Sequence, residues 1–425
     1  MSVPKLRFPE FRDAGDWEIK QFSKYIVLYR GSSPRPIQSY LSSDSSGVNW
    51  IKIGDTKSAK NFVISQVEEK ITPEGAKKSR KVNVGELILA NSMSYGKTYQ
   101  VAIDGYIYDG WFVLRDYEKY FDKQFLLQLL NSEYMQSQYE RFSAGGIVQN
   151  ISSDIVYKTV LPHTLLKEQK KIADCLTSID DRITTEAQKL DTLKAHKKGL
   201  MQQLFPAEGE TLPKLRFPEF QDLGEWENKP LGSKTIKVGS GITPNGGEKN
   251  YKSQGRPFIR SQNIGWGWLL LDDVVCIDDA IHSTFPATEI NEGDVFLNIT
   301  GASIGRSAVA DYQVQGGNVN QHVCIIRTQQ SELNPYYLNQ YLLSQYGQNQ
   351  IDSFQAGGNR QGLNFAQIRS FSLPLPLIEE QQKIADCLSS IDEAIAAQSQ
   401  VIDLLKLHKK GLMQQLFPSV EEVRR

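Results

Sequence analysis

The chain has 425 residues, with 48 Lys and Arg against 49 Asp and Glu, so its formal net charge is −1. This balance lacks the strongly basic charge of many nucleic-acid-binding domains, so any basic surface must be local. A content of 40% hydrophobic and 23% charged residues is ordinary for a soluble globular protein. No run approaches the roughly 18 apolar residues that a membrane span needs.

Two segments of the chain occur twice without change. Residues 4–11, with the sequence Pro-Lys-Leu-Arg-Phe-Pro-Glu-Phe, return as residues 213–220. The sequence His-Lys-Lys-Gly-Leu-Met-Gln-Gln-Leu-Phe-Pro of residues 196–206 returns as residues 408–418. Each half of the chain therefore begins and ends alike, which indicates an internal repeat.

The residues between the repeated segments, 20–158 and 229–370, are much less alike and predict two mixed globular lobes. Short β-type runs alternate there with glycine turns. The predicted strands are 50–54, 85–90, 106–108 and 111–114 in the first lobe and 257–260, 293–298 and 322–326 in the second, with helical stretches at 124–139 and 335–346. The repeated segments enclose two dissimilar sequences. This pattern indicates that the repeated segments form a structural frame and that the lobes select targets.

The end of each half is typical of one long helix. Apolar residues recur in two interleaved seven-residue series, which is the spacing of a coiled-coil seam. The predicted seam residues are Ile172, Leu176, Ile179, Ile183, Leu190, Leu193, Leu200 and Leu204 in the first helix and Ile384, Leu388, Ile391, Ile395, Ile402, Leu405, Leu412 and Leu416 in the second. Prolines bound both helices, and about 40 residues make each roughly 60 Å long.

Four polar residues, Lys197, Lys409, Glu186 and Gln398, also stand at seam positions. Polar seam residues lower stability but can specify register and partner. The alternative is that this part of the seam is exposed to solvent.

These patterns predict an α+β fold with two α/β-type lobes separated by two long helices. The helices are expected to pair with each other, and a pseudo-twofold relation between the halves would make the coiled coil antiparallel. The predicted domain limits are 1–162 and 207–376 for the lobes, the second including its linker, and 163–206 and 377–425 for the helical regions.

The chain contains four cysteines, Cys175, Cys276, Cys324 and Cys387, with no Cys-x-x-Cys pair and no clustered histidines. They predict neither a zinc site nor a disulfide framework. Cys175 and Cys387 are equivalent positions in the repeat, so we expect them to pack in the long helices. The first 11 residues do not resemble a signal peptide. Together these features predict a cytoplasmic protein with no membrane partner and no metal site.

Polar and basic side chains cluster beside the glycine turns of both lobes. In direct readout, Arg pairs with guanine and Asn or Gln with adenine, so such side chains are candidates for contacts to DNA bases. They are Asn91, Ser92, Tyr95, Lys97, Arg260, Gln262, Asn263, Thr300, Ser303, Arg306, Asn318, Asn320, Gln321, His322, Asn359, Arg360 and Gln361. Polar loop residues without a ligand are the alternative.

A short basic run in the first lobe contains Lys77, Lys78, Arg80 and Lys81. Contact with DNA phosphates is its functional interpretation, and a solvated loop is the alternative.

Two further motifs suggest enzymes but fit them poorly. Residues 334–337, Asn-Pro-Tyr-Tyr, resemble the Asn-Pro-Pro-Tyr loop of amino-methyltransferases, yet Asn-Pro is also a good helix start. Residues 301–306 follow a strand but lack the ending of a phosphate-binding loop, which favours a tight turn. No catalytic pair or metal cluster stands out, so we predict a non-catalytic protein. The alternatives are an adenine methyltransferase in its own right and a coiled-coil scaffold or adhesion protein with two variable ligand-binding lobes.

The repeated motifs resemble, over essentially the whole chain, the specificity subunit of type I restriction-modification systems. The motifs that carry the resemblance are the openings at 4–11 and 213–220, Gly-Asp-Trp-Glu and Gly-Glu-Trp-Glu at 15–18 and 224–227, the stretch 293–305, and Glu-Gln-x-Lys-Ile-Ala-Asp-Cys-Leu at 168–176 and 380–388. Several recur twice in the expected order of target domain, helix, target domain and helix.

The resemblance implies a non-catalytic subunit whose two target-recognition domains each read one half of a split, asymmetric sequence in double-stranded DNA. It implies that the helices act as a ruler for the unread spacer and dock two methylation subunits. These bind S-adenosylmethionine and methylate adenine, while restriction subunits with translocase and nuclease activity use ATP and Mg. No cofactor is expected in this chain.

Overall fold

The structure, a computed structural model, describes residues 3–92, 96–143, 150–355 and 362–418. It divides the chain into two compact units. Unit 1 comprises residues 1–187 and 401–425, and unit 2 comprises residues 188–400. Both long helices contribute to each unit, whereas the limits predicted from the sequence treat each helix as a separate region. Those limits stay a prediction.

Unit 1 contains two five-stranded sheets and a two-stranded sheet. Its strands are β1 (Glu18–Gln21), β2 (Val27–Arg30), β3 (Leu41–Ser42), β4 (Val48–Ile51), β5 (Val63–Ile64), β6 (Glu69–Ile71), β7 (Arg80–Val82), β8 (Leu87–Ala90), β9 (Thr98–Val101), β10 (Gly105–Ile107), β11 (Trp111–Arg115) and β12 (Val160–His163). Its helices are α1 (Pro73–Ala76), α2 (Lys123–Leu130), α3 (Glu133–Ser143), α4 (Ser153–Lys158) and the first part of α5 (Leu166–Leu204). The strand orders are β3-β6-β4-β10-β7, β2-β11-β8-β9-β5 and β1-β12.

Unit 2 repeats this plan with fewer strands. Its strands are β13 (Glu227–Pro230), β14 (Thr235–Ser240), β15 (Arg256–Ile259), β16 (Val275–Ile277), β17 (Val295–Asn298), β18 (Ser307–Val309), β19 (Asn318–Val319), β20 (Val323–Thr328) and β21 (Ser372–Leu375). Its helices are α6 (Asp279–His282), α7 (Pro335–Leu343), α8 (Gln345–Ser353), α9 (Phe365–Arg369) and the first part of α10 (Ile378–Leu416). The strand orders are β14-β20-β17-β18, β16-β15-β19 and β13-β21.

The α+β fold with two long helices is confirmed, and each predicted strand overlaps an observed one. The helical stretches predicted over 124–139 and 335–346 are confirmed, and each consists of two helices separated by a break. In unit 1 the Asn131 side chain binds the backbone N–H and C=O of Thr98 at 3.0 and 2.8 Å. In unit 2 Ser344 caps α8 by accepting a backbone N–H. Short polar side chains favour such breaks because they replace helical hydrogen bonds.

The two long helices pair antiparallel. In unit 1, Ile172 near the start of α5 shares a core with Leu416 at the end of α10, whereas Asp180 farther along α5 contacts Lys409, which precedes Leu416. The order of contacts is therefore reversed between the helices. Each predicted seam residue is buried or half-buried.

The lysines at polar seam positions form ion pairs across the helices. The Lys409 ammonium donates to both carboxylate oxygens of Asp180 at 2.7 and 2.6 Å in unit 1. In unit 2, Lys197 makes the same contacts with Asp392. All four side chains are largely shielded from solvent, so this part of the seam is paired and not a solvated surface. A shift of one helix along the other would separate these charges, which favours a single register.

A buried carboxylate in the first turn of each long helix binds the repeated opening segment. Glu168 is 0% exposed, and Arg7 donates to its two oxygens at 2.7 and 2.8 Å. The Thr164 hydroxyl donates to the same carboxylate at 2.5 Å. The hydrogen bond to Glu168 raises the pKa of Arg7 above its ordinary value. In unit 2, Arg216 and Glu380 form the same bidentate pair at 2.8 Å.

The repeated opening segment of each half also contacts the long helix of the other half. In unit 1 the backbone N–H of Leu6 donates to the carbonyl of Gln415 at 3.0 Å. In unit 2 Leu215 makes the equivalent contact with Gln203 at 2.9 Å. The two sequences that occur twice are therefore the two partners of one interface, formed once in each unit.

The repeated sequence at the end of each long helix supplies an aromatic side chain to the lobe core of its unit. Phe417 packs against Phe125 of α2, with ring centroids 5.5 Å apart. Phe205 packs against Tyr337 of α7 at the same separation. Aromatic contacts of this kind bury large apolar areas, which accounts for the repeated Leu-Phe-Pro sequence that ends each helix.

Arg7→Ala should destabilise unit 1 strongly. It leaves the Glu168 carboxylate buried without its cation, which typically costs about 3–5 kcal/mol. Urea unfolding would measure the loss. Lys20→Ala is the matched control, because the Lys20–Glu18 pair has side chains 52% and 59% exposed, and such exposed pairs contribute little to stability. Equal effects of the two substitutions would contradict a stabilising role for the buried pair.

Candidate nucleic-acid interface

Several strands end or begin at one edge of unit 2. β14 and β17 end where β18 and β20 begin, and β15 and β19 end together in the neighbouring sheet. The Asn298 amide joins the two sheets by donating to the Ser261 carbonyl at 2.8 Å. We call the loops at this edge the loop end of unit 2. It is formed by residues 241–250, 260–268, 299–306 and 320–322. This topology brings together the predicted site residues of the second lobe that the structure describes, except Asn318, which begins β19.

Unit 1 has an equivalent loop end. β2 and β8 end where β9 and β11 begin, and β4 and β10 end together beside the start of β7. Ser32 joins these sheets because its N–H donates to the Ile107 carbonyl at 3.3 Å and its hydroxyl to the Lys78 carbonyl at 2.9 Å. The described part of this loop end comprises residues 31–36, 52–58, 77–79, 91–92, 96–97 and 108–110.

A glycine follows the edge strand at each loop end. A Cβ at Gly31 would lie 1.9 Å from the Tyr108 carbonyl oxygen, and a Cβ at Gly241 would lie 1.6 Å from the Val319 carbonyl oxygen. No side chain fits at these distances. Glycine therefore allows the edge strand of one sheet to approach the neighbouring sheet. This close approach brings the loops of the two sheets together at each loop end.

Asp273 orients three of the predicted residues in unit 2. It accepts hydrogen bonds from the side-chain amides of Gln262 and Asn263, and its carboxylate lies 3.7 Å from the guanidinium of Arg260. Arg260 also donates to the Asp273 carbonyl at 2.9 Å and lies over the ring of Tyr251. Because Asn263 is fully buried, its contacts stabilise the turn. Gln262 is the exposed member of this group, whereas the Arg260 side chain is only 17% exposed.

A chain of hydrogen bonds crosses the same loop end. The Thr300 hydroxyl lies 2.6 Å from Nδ1 of His322, and Nε2 of His322 lies 3.1 Å from the amide nitrogen of Gln321. The Gln321 amide oxygen accepts from the Thr243 hydroxyl. Donors and acceptors linked in this way hold one another in place, so the exposed Gln321 amide is presented in a defined orientation.

Ser303 and Arg306 belong to the loop between β17 and β18. The predicted tight turn is confirmed, since residues Gly301–Ser303 form a 3₁₀ turn and Gly305 has a φ of +86°. Within the part of the chain that the structure describes, the Arg306 guanidinium has no hydrogen-bonded or ionic partner. Arg306 is thus available to an anionic ligand.

Asn318 and Asn320 are engaged within the protein. The Asn318 side chain is buried between His282, at 2.7 Å, and Thr288, at 2.9 Å. The Asn320 amide oxygen accepts the backbone N–H of His322 at 3.0 Å. The Asn320 contact shapes the loop end from inside, whereas Asn318 begins β19 and its partners lie toward the opposite edge of the sheet. A direct role for either residue in DNA contact stays a prediction.

The predicted basic run of the first lobe lies beside the loop end of unit 1. Lys77 and Lys81 are exposed. Lys78 lies over the Tyr40 ring, 4.6 Å from its centroid. Arg80 donates to the Arg30 carbonyl at 3.1 Å. Because the lysine ammonium groups lie at the surface, they can contact phosphates.

Asn91, Ser92 and Lys97 flank the loop after β8. Asn91 is buried and donates to the Asp109 carbonyl at 2.9 Å, and the Ser92 hydroxyl lies 3.4 Å from the hydroxyl of Tyr108. Burial lowers the pKa of the Lys97 ammonium. Lys97 is therefore a less exposed cation than the lysines of the basic run.

The loop ends also contain residues that the sequence analysis missed. In unit 1, Asp109 accepts a hydrogen bond from Ser33 at 2.6 Å and lies 3.7 Å from the guanidinium of Arg35, which is otherwise largely exposed. In unit 2, Trp266 and Trp268 are 46% and 51% exposed. The alternation of these tryptophans with glycines was the available signal, because glycine turns often place such side chains at the surface.

Four candidates, Tyr95, Asn359, Arg360 and Gln361, lie outside the described residues. The predicted helix start at 334–337 is confirmed, since the Asn334 side chain accepts the N–H groups of the first turn of α7. Across the described ranges, no group of three or more His, Cys, Asp or Glu is arranged to hold a metal ion. No helix in those ranges is long and apolar enough to span a membrane.

The family model described as the type I restriction modification DNA specificity domain matches residues 16–195 and 225–407. The type I restriction enzyme MjaVIII specificity subunit of Methanocaldococcus jannaschii is 22% identical over 433 residues, which cover 97% of this chain and 93% of that protein.

Two solved structures share the fold. The type I restriction-modification system S subunit from M. genitalium has a TM-score of 0.60 at 14% identity, with 98% of this chain and 100% of that chain covered. A chain from a structure on complex assembly and conformational transition of the type I R-M system has a TM-score of 0.58 at 18% identity, with 95% and 97% covered. These likenesses support the tandem arrangement of lobes and long helices.

Arg306→Ala should weaken binding to double-stranded DNA and lower the salt slope of the binding constant by about 1, as loss of one phosphate contact does. Arg256→Ala is the matched control, because Arg256 begins β15 at the opposite edge and pairs with Asp279 at 2.5 Å. Fluorescence anisotropy of a labelled duplex at several salt concentrations would measure both. Equal losses in the two variants would contradict a specific role for this loop end.

Proposed function

The chain belongs to the family of type I restriction-modification DNA specificity proteins, whose model matches both of its halves, and on this premise we propose that it is a non-catalytic DNA-recognition subunit. Each lobe reads one half of a split, asymmetric sequence in double-stranded DNA. The family match favours this function over the coiled-coil scaffold and over a methyltransferase in its own right.

One observation carries the proposal: two units with the same frame present different side chains at the same loop end. Unit 1 presents the basic run with Lys77 and Lys78, whereas unit 2 presents the exposed amides of Gln262 and Gln321 beside the partly buried Arg260. Hydrogen-bonding side chains of this kind suit the edges of bases, and the cations suit phosphates. Because the two units share one frame but present different side chains, they suit two half-sites that differ in sequence.

The long helices supply the remaining parts of the proposed function. Their antiparallel pairing, with matched ion pairs in both units, supports a spacer of defined length between the half-sites. Two methylation subunits dock on the helical regions, bind S-adenosylmethionine and methylate adenine. Restriction subunits that use ATP and Mg join this assembly, which acts in the cytoplasm. This chain itself holds none of these cofactors.

The proposal is tested by mapping methyladenine in host DNA by single-molecule sequencing, with the gene for this chain intact and deleted. Loss of methylation at one split, asymmetric motif is the expected result, because the methylation subunits would no longer be directed to it. Restoring the gene on a plasmid should restore the motif. Identical maps, in cells shown to produce the chain and its partners, would contradict the proposal.

Removal of one heptad from both helices, residues 185–191 and 397–403, should shorten the preferred spacer by up to about three base pairs. Seven helical residues span about 10 Å, and one base pair rises about 3.4 Å. The deletion retains the Asp180–Lys409 and Lys197–Asp392 pairs and the heptad phase.

Binding to duplexes with a series of spacer lengths measures this change, with the unmodified chain as the control. A stable variant that binds well but keeps the original spacer preference would refute the ruler.

A further inference from the structure

Two exposed tryptophans distinguish the loop end of unit 2. The chain has six tryptophans, of which Trp17, Trp50, Trp111 and Trp226 are at most 3% exposed. The remaining two, at positions 266 and 268, are 46% and 51% exposed. A half-exposed indole forgoes a large part of the favourable free energy of burial. Packing in the protein core therefore does not account for the exposure of this pair.

A tight hairpin turn holds the two indoles. The backbone N–H of Gly265 donates to the Trp268 carbonyl at 2.9 Å, which leaves Trp266 and Gly267 as the two central residues. Gly267 has a φ of +109°, a conformation that favours glycine. A Cβ at Gly265 would lie 2.9 Å from Nε1 of Trp268. The glycines therefore permit both the turn and the close approach of one indole to it.

The hairpin is tied to the loop end and not to the opposite edge of the sheet. The N–H of Gly267 donates to the carbonyl of Ser307 at 2.9 Å, and Ser307 begins β18 directly after Arg306. The 3₁₀ turn that contains Gln262 leads into the hairpin. The hairpin backbone thus lies next to the residue that follows Arg306, whose guanidinium has no hydrogen-bonded or ionic partner among the described residues, and next to the turn that carries the exposed Gln262 amide.

Unit 1 has a different structure at the equivalent position after β4. There Lys60 and Asn61 precede β5, and the Asn61 side chain donates to Thr184 of α5 at 3.0 Å. Phe62 packs against Tyr99 with ring centroids 5.9 Å apart. The first lobe therefore uses this loop for contacts within its own unit, whereas the second lobe leaves its tryptophans exposed.

We propose that Trp266 and Trp268 form an aromatic contact to double-stranded DNA beside the half-site read by the second lobe. This inference rests on the proposed function and adds a specific element to it. Continuity with the loop end and the neighbouring Arg306 favour DNA over a protein partner, since a cation next to aromatic faces suits a phosphate next to a sugar or base.

Such a contact contributes affinity with little direct readout of sequence. An indole can pack against sugars and bases in a groove or wedge between base steps, and either arrangement tolerates several sequences. In the second lobe, the hydrogen-bonding side chains then select the half-site, and the hairpin adds apolar contact next to it.

Hydroxyl-radical footprinting read by mass spectrometry tests this placement in the complex of the chain with its partner subunits. The duplex carries the split motif found by methyladenine mapping. DNA should lower the oxidation of Trp266 and Trp268 severalfold. Tyr312 is the internal control, because it is 75% exposed and follows β18 at the opposite edge of the sheet. Its oxidation should not change.

The double substitution Trp266→Ala with Trp268→Ala should weaken binding at least about fivefold, the lower range for loss of one stacked base, and leave the recognised motif unchanged. Tyr312→Ala is the matched control and should bind normally. Circular dichroism would establish that the double variant folds, and the footprint of the unmodified chain tests the placement independently of that variant.

The outcomes separate this inference from the proposed function. Specific binding with unchanged tryptophan oxidation would overturn the aromatic contact and leave the recognition role intact. Protection by the partner subunits before DNA is added would also overturn it, because the indoles would then bind protein. Failure of the complex to bind any duplex would overturn the recognition role itself.

Discussion

The buried carboxylate in the first turn of each long helix is the contact on which the arrangement of each unit depends. Glu168 and Glu380 are almost fully excluded from solvent, and each requires its arginine because an unpaired buried charge is strongly destabilising. Arg7 and Arg216 belong to the repeated opening segments, so each pair attaches an opening segment to the start of a helix. The same segment contacts the end of the other helix through Leu6 or Leu215. One short sequence therefore joins both helices to a lobe.

This double attachment explains why the frame is repeated almost unchanged while the lobes differ. A substitution in an opening segment would have to suit the start of one helix and the end of the other at once. The Lys409–Asp180 and Lys197–Asp392 pairs add a register constraint of the same kind. A loop-end side chain such as Gln321 does not have to suit two helices at once. Target contacts can thus vary while the frame that positions them stays the same.

The patterns within each segment predicted the two lobes and the long helices, and the repeat of one half in the other predicted the antiparallel seam. They did not predict the break at Asn131, where a side chain pairs with a distant strand and overrides helical propensity. For the site, side-chain chemistry and glycine turns identified Arg260 and Arg306, but not the role of Asp273. That role depends on how the chain folds back after the Trp266 hairpin, and residue types alone do not contain this information.

The DNA contacts proposed for the two loop ends depend on different physical interactions. In unit 1, cations such as Lys77 and Lys81 stand at the surface, so its affinity should depend mainly on counterion release. In unit 2, Arg260 is partly neutralised by Asp273, and exposed aromatic surface accompanies the cations. Apolar contact is much less sensitive to salt than phosphate contact. A chain with a net charge of −1 can therefore bind DNA through a basic lobe and a partly aromatic one, without a basic surface over its whole length.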